Sequence, residues 1–140
     1  MTAIALTAAQ IEPVYPTVAE CYDFVAAASI TAGQAVYLTS SGTVDLADAN
    51  GSGTLQFRGI ALNAAAAGQA VTVLKRGHCF GFTVSSLSVD DIAYLSNTAG
   101  GLDTSAGGTS IICGRVMTLP DKPTYTKVLY VEADWLRTWA

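Results

Sequence analysis

The residues of this sequence best suited to chemistry are its single histidine and one of its three cysteines, which are adjacent at His78 and Cys79. A histidine close to a thiol can generate a cysteine nucleophile. Neighbouring residues of a β-strand point to opposite faces, so the His78 ring is not expected to activate the Cys79 thiol. With no second histidine, a metal site or proton relay is also disfavoured. The sequence predicts a structural histidine, no cofactor and no enzymatic activity.

The acidic residues fall at turns rather than in a ligand pattern. Asp90 and Asp91 can bind a cation or cap a turn, and the turn is the favoured interpretation. Asp45, Asp48 and Asp103 lack the spacing of a calcium-binding loop. The glycines of the central region match no phosphate-binding loop, so nucleotide binding is not predicted either.

Composition excludes several further classes of function. The net charge is −4 with only seven Lys and Arg residues, and these are scattered, which argues against direct binding of nucleic acid. No basic residue precedes the first apolar residues, and no apolar run reaches the length of a membrane span. Cys21, Cys79 and Cys113 are widely spaced and odd in number, as expected for reduced thiols in a protein made in the cytosol.

The surface is expected to be poor in charge. Charged residues make up 13% of the chain, whereas about 25% is usual, and hydrophobic residues make up 51%. Large apolar patches are uncommon on free monomers, so other subunits are expected to cover part of this surface. The alternative is a monomer whose surface is solvated by Ser and Thr.

The elements that position these residues are predicted to be strands. In residues 55–82, two apolar runs flank an Ala/Gly segment at 64–68, and both runs alternate with a period of two. The alanine run could form a helix capped by Asn63, but it is only about one turn long, which is marginal in water. This region is therefore interpreted as strand, short loop, strand.

The same pattern extends over the chain and predicts an all-β fold, a small β-barrel or β-sandwich of short antiparallel strands. We divide it into an extended N-terminal arm (1–18), a β-rich domain (19–132) and a short C-terminal tail (133–140). Prolines at 120 and 123 predict a break before a strand at 125–132. Further strands are expected at 19–27, 34–39, 43–46, 92–96, 102–104 and 110–119.

An internal similarity links the two halves of the domain. Residues 33–40 (GQAVYLTS) match residues 90–97 (DDIAYLSN), and each segment is followed by a glycine-bearing turn and an aspartate. A chance similarity between Ala/Gly/Val-rich hairpins is the alternative. A duplicated hairpin unit accounts better for many short, evenly spaced strands.

The sequence resembles the small capsid decoration, or cement, proteins of tailed bacteriophages. The matching stretches are AGQAVYL (32–38), FRGIALNAAAAGQAVTV (57–73), KRG (75–77), IAYL (92–95) and ICGRV (112–116), within residues 30–131. The resemblance implies a β-rich domain on the outer surface of the phage head that bridges subunits of the major capsid protein, often as a homotrimer. It would stabilise the shell and would be located in the virion.

Contact residues are predicted from physics, because the resemblance supplies no motif for them. Aromatic and arginine side chains concentrate binding energy at interfaces. The two tryptophans can alternatively cap the chain's own barrel, and the arm can pair with a neighbour's sheet or stay disordered until bound. The candidates are Ile4, Leu6 and Tyr15 in the arm and Trp135, Leu136, Arg137 and Trp139 in the tail. Other functions considered are a phage tail or fibre component and a small-ligand-binding β-domain.

Overall fold

The computed structural model describes residues 2–119 and 126–140 and confirms the all-β fold. Ten antiparallel strands form one curled sheet, and the described part adds a single 3-10 turn at Ala8–Gln10. The strands are β1 (Glu12–Pro13), β2 (Glu20–Val25), β3 (Ala35–Leu38), β4 (Val44–Leu46), β5 (Phe57–Ala61), β6 (Ala70–Phe80), β7 (Ile92–Leu95), β8 (Leu102–Asp103), β9 (Ile112–Thr118) and β10 (Lys127–Glu132).

The predicted strand, loop and strand at the centre of the chain are confirmed as β5, residues 62–69 and β6. Strand β6 continues past Lys75 and Arg76 to Phe80. Gly77 adopts a φ of 151°, which glycine tolerates, and the strand is not interrupted there. The expected strand at 125–132 is observed from Lys127 onward. Thr126 is described and precedes the strand, whereas residue 125 and the predicted proline break lie outside the described residues.

Strand β6 is the shared support of the whole sheet, because it is paired on both edges. Arg76 lies between Glu20 of β2 and Glu132 of β10, and Leu74 lies between Cys21 of β2 and Ile60 of β5. One edge of β6 therefore carries the N-terminal strands β1 and β2. The other edge carries β10 and then β5, from which two separate groups of strands depart.

The first group closes on itself as a small barrel. Its order is β2, β6, β5, β3 and β4, and β4 returns to the end of β2 through a bridge between Ala26 and Val44. The N–H of Ala27 donates to the Val44 carbonyl at 2.8 Å. The barrel encloses a core of its own, formed by Ala26, Ile30, Val36, Val44, Ala61, Ala65, Val71 and Val73.

The second group consists of β10, β9, β7 and β8, and the main core lies between it and the barrel. Backbone hydrogen bonds hold the two groups together at their far ends. The N–H of Ala35 donates to the Gly100 carbonyl (2.9 Å), and the N–H of Gly100 donates to the Ala47 carbonyl (2.7 Å). The largest fully buried side chains of the main core are Phe57, Ile60, Leu74, Leu95, Ile111 and Leu129.

The two halves repeat the same pairing, as the sequence similarity would require. In each half the first strand pairs with the second and third, and the third pairs with the fourth. A register shift precedes Tyr37 in the first half and Tyr94 in the second. Gly59 and Gly114 each pair with the residue just before that shift. The two halves therefore have the same arrangement of paired strands.

The N-terminal arm is extended, and it is part of the fold. The N–H of Ile4 donates to the Leu102 carbonyl (2.9 Å), and the N–H of Thr7 donates to the Gly81 carbonyl (2.8 Å). The arm thereby joins β8 to the end of β6. Ile4 and Ile11 are both buried in the main core.

The repeated glycine of the second half gives a test of this arrangement. A Cβ at Gly114 would fall against the carbonyl oxygen of Tyr130 on β10, which is backbone and cannot move aside. We expect Gly114→Ala to lower the free energy of unfolding by about 1–3 kcal/mol, as overpacking does elsewhere. The measurement is urea unfolding. Gly53→Ala is the control, since a Cβ there meets no atom within 4 Å, and an equal loss in both variants would contradict the prediction.

Candidate interaction surface

His78 and Cys79 point to opposite faces of β6, as their alternation requires. The His78 ring lies edge-on between Tyr15 and Tyr130, with ring centroids 5.3 and 5.0 Å apart. The Cys79 side chain is fully buried in the main core, and this burial raises the pKa of its thiol to about 12. Burial also lowers the pKa of His78. A neutral, packed imidazole and a protonated thiol on the far side of the strand cannot form a nucleophilic pair.

The carboxylates near loops act as turn caps. An Asp91 carboxylate oxygen accepts the Ser88 N–H at 2.8 Å, and an Asp48 oxygen accepts the Gly51 N–H at 2.6 Å. Asp103 is buried and accepts two backbone N–H groups. In the described ranges, no group of three or more His, Cys, Asp or Glu side chains could hold a metal ion.

The candidate contact residues of the arm are engaged by the chain itself. Ile4 is buried in the main core, where a partner could not reach it. Leu6 is half-buried and bridges to Phe82. Tyr15 is also half-buried and packs on His78. The arm therefore packs on this protein's own sheet, and Leu6 and Tyr15 keep only part of their surface exposed.

The tail is a strap along β5. Trp139 is 9% exposed, and its backbone N–H and carbonyl both bond to the Gln56 side chain, at 2.9 and 2.7 Å. The indole N–H of Trp135 donates to the Arg58 carbonyl at 2.7 Å, and the Arg58 guanidinium donates to the Arg137 carbonyl at 3.1 Å. Both tryptophans therefore pack on this chain's own sheet, Trp139 in the main core and Trp135 beside the small barrel.

Two tail candidates do face the solvent. Leu136 is 97% exposed, and Arg137 is also exposed. A small turn fixes them, because the Asp134 carboxylate accepts the Leu136 N–H at 3.1 Å and the Asp134 carbonyl accepts the Arg137 N–H at 3.3 Å. An aliphatic side chain held outward in this way is available to a partner.

The open mouth of the small barrel is an apolar groove on the surface. Every strand of the barrel contributes one side chain to it, and the Trp135 indole forms a further wall. The groove has a volume of about 190 Å³ and a mainly apolar lining. Its lining residues are Phe24, Leu38, Val44, Arg58, Val73 and Trp135.

Two exposed apolar side chains flank this mouth. Leu38 is 44% exposed on β3, and Tyr22 is 43% exposed on β2. The Tyr22 and Phe24 rings contact the Trp135 ring, with centroids 5.0 and 6.2 Å apart. Sequence reasoning missed this surface, since apolar alternation does not distinguish a core side chain from one at a barrel mouth.

A charged group lies beside the mouth, at the start of β2. The Glu20 carboxylate forms salt bridges with Lys75 (3.1 Å) and Arg76 (2.9 Å). It also accepts a hydrogen bond from the Tyr22 hydroxyl (2.7 Å). The Tyr22 bond, followed by the two cations, lowers the pKa of Glu20 to about 2. Lys75 also lies 5.0 Å from the centre of the Trp135 ring. Charge and aromatic packing thus fix the rim of the mouth.

Comparison of the chain with family models and with curated proteins found no match. In the part of the chain that the structure describes, no helix has the length and apolar character needed to cross a membrane.

The Glu20 contacts predict how stability depends on pH. The pKa of Glu20 falls from 4.5 to about 2 on folding, so its carboxylate stabilises the fold above pH 4.5 and loses this effect as the pH falls towards 2. We expect the urea midpoint of the wild type to decrease across this window. Glu20→Gln should decrease less, and added salt should narrow the difference because the group is exposed. Identical pH profiles for the two proteins would contradict the prediction.

The tail predicts a contrast between two of its apolar residues. Trp139→Ala removes a buried side chain and should cost about 3–5 kcal/mol of unfolding free energy. Leu136→Ala removes an exposed one and should change this free energy by less than about 0.5 kcal/mol. Urea unfolding of both variants measures the contrast. A large loss for Leu136→Ala, or none for Trp139→Ala, would show that the tail is not held as described.

Proposed function

We propose that this protein is a structural virion protein, a cement protein that binds the outer surface of a tailed-phage head and has no enzymatic activity. The observation that carries the proposal is the barrel mouth, an open apolar groove flanked by the exposed side chains of Tyr22 and Leu38. Such a surface is typical of protein contacts. The resemblance of residues 32–38 and 57–73 to cement proteins supplies the kind of partner, the major capsid protein.

The fold suits a mechanical role. The described arm and tail are both bonded back onto the sheet, so neither segment has to become ordered on binding, and this lowers the entropic cost. Several copies joined as a homotrimer would bind neighbouring capsid subunits together. Avidity then stabilises the shell without any single strong contact.

The structure changes which residues we assign to the contact. Ile4 and Trp139 are buried in the chain's own core, so they would support the surface rather than form it. Leu136 and Arg137 remain outward-facing and stay in the proposed contact. Leu38 of the mouth joins them.

Binding of a small ligand is the weaker alternative. The mouth has about 190 Å³, whereas small-molecule sites usually have about 300–1,000 Å³. The Arg58 guanidinium at its edge already donates to backbone carbonyls of the tail, which leaves less of its capacity for a ligand. The groove suits a single side chain better than a metabolite.

The copy number of this chain in purified virions tests the proposal. We expect quantitative mass spectrometry to give a fixed ratio to the major capsid protein, near one or another fraction set by the shell symmetry. Added contacts across subunit boundaries require this stoichiometry. A few copies per virion would indicate a tail or fibre component, and absence from virions would refute both structural roles.

A further inference from the structure

Strand β2 has an edge that is open to a partner. Among the described residues, β2 pairs with β6 along one side, and its opposite side has no strand beside it between Cys21 and Phe24. Beyond Val25 the opening ends, because Ala26 and Ala27 meet Val44 of β4. The free edge is therefore short and lies directly beside the barrel mouth, to which Phe24 contributes.

The hydrogen bonds of β6 show which backbone groups of β2 point outward. The Thr72 carbonyl accepts the Leu62 N–H (2.8 Å), and the Thr72 N–H donates to Asn63 (2.7 Å), so both groups point away from β2. Backbone groups alternate along an antiparallel strand, which directs those of Val71 and Val73 towards β2.

Val71 and Val73 pair with Phe24 and Tyr22 of β2. The backbone groups of the intervening Asp23, and by the same alternation those of Cys21, therefore point outward. Two residues with free N–H and C=O groups can form up to four hydrogen bonds with an added strand. Addition of a strand at such an edge is an established mode of peptide recognition.

The charge on this edge selects against a second copy of the same chain. Antiparallel pairing of two β2 edges through their outward groups centres on Tyr22 or on Asp23. The register centred on Tyr22 places the two Asp23 carboxylates diagonally adjacent, and the register centred on Asp23 places them directly opposite. Like charges in such positions are destabilising. A partner strand with a basic residue at that position would be attracted instead.

The mouth supplies an apolar socket for the same strand. A preformed apolar cavity of about 150 Å³ accepts benzene, and the mouth, at about 190 Å³, can accept one phenyl or large aliphatic side chain. Tyr22 and Phe24 line the approach on one face, whereas Asp23 lies on the other. Adjacent residues of an added strand would therefore reach the socket and the carboxylate respectively.

We propose that the free edge of β2 and the barrel mouth together bind an extended segment of a partner protein, with a basic residue at Asp23 and a neighbouring large apolar side chain in the mouth. The inference deepens the proposed function, on which it rests for the partner's identity, since that segment would belong to the major capsid protein. The binding geometry itself comes from this chain.

A peptide titration of the full-length protein tests the proposal without any shell. The probe is an acetylated and amidated octapeptide in which Phe-Lys is flanked by Val and Thr residues. Matched peptides carry Glu in place of Lys, or Ala in place of Phe. Fluorescence of Trp135 and Trp139 reports affinity, and hydrogen exchange reports protection of the Cys21 and Asp23 amides.

We expect the wild type to prefer the Lys peptide over the Glu peptide by about two- to fivefold, and Asp23→Lys to reverse that preference. Replacing Phe by Ala in the peptide should weaken binding at least about tenfold. Leu38→Asp should weaken it as well. Ile112→Asp is the matched control, because Ile112 is 47% exposed and Leu38 is 44% exposed, and Ile112 lies outside the mouth.

Three results would overturn the proposal: no binding of the Lys peptide, the same peptide preference in wild type and Asp23→Lys, or β2-mediated dimers of the wild type in sedimentation. Because Asp23 is exposed, its substitution should not affect folding. The assay contains no virions, so its failure leaves the copy-number result standing. A failed copy-number test would likewise leave peptide binding intact.

Discussion

Backbone pairing on both edges of β6 is the constraint on which the rest of the structure depends. Within eleven residues this strand bonds to the N-terminal strands on one edge and to β10 and β5 on the other. Gly77 permits the continuous course, since its φ of 151° is unfavourable for other residues and a Cβ there would press on Ala19 at 3.2 Å. Both halves of the domain are oriented by this one strand.

Two strand groups that leave the same edge must diverge, and the termini occupy the openings that result. The arm bonds to Leu102 and Gly81 on one side, and the tail binds along β5 through Gln56 and Arg58 on the other. Unpaired edges and uncovered apolar faces favour non-specific association, so this closure also protects the protein. The barrel mouth and the short free edge of β2 are left open.

Two of the few charged side chains of this protein, Glu20 and Asp23, lie on strand β2 and have different surroundings. Glu20 is neutralised by Lys75 and Arg76, whereas Asp23, on the free edge, contacts the Thr72 hydroxyl. Strand β2 therefore carries two carboxylates with different surroundings. Glu20 is paired with two cations, whereas Asp23 disfavours pairing of β2 with the β2 strand of a second copy. An apolar groove next to such an edge is the surface at which we propose that a partner segment binds.

The sequence by itself determined the local features of this protein. Period-two alternation predicted β5 and β6, the repeat around Tyr37 and Tyr94 predicted equivalent hairpins, and strand geometry separated His78 from Cys79. These properties depend on residues close together in the chain.

Only the tertiary structure decided which aromatic and aliphatic side chains remain available to a partner. Trp139 and Leu136 are three residues apart in one tail, yet one is buried against Gln56 and the other is almost fully exposed. Burial, and the freedom of a strand edge such as that of β2, depend on which remote segments arrive beside a residue. No local pattern encodes those long-range contacts, so the interaction surface emerged only with the fold.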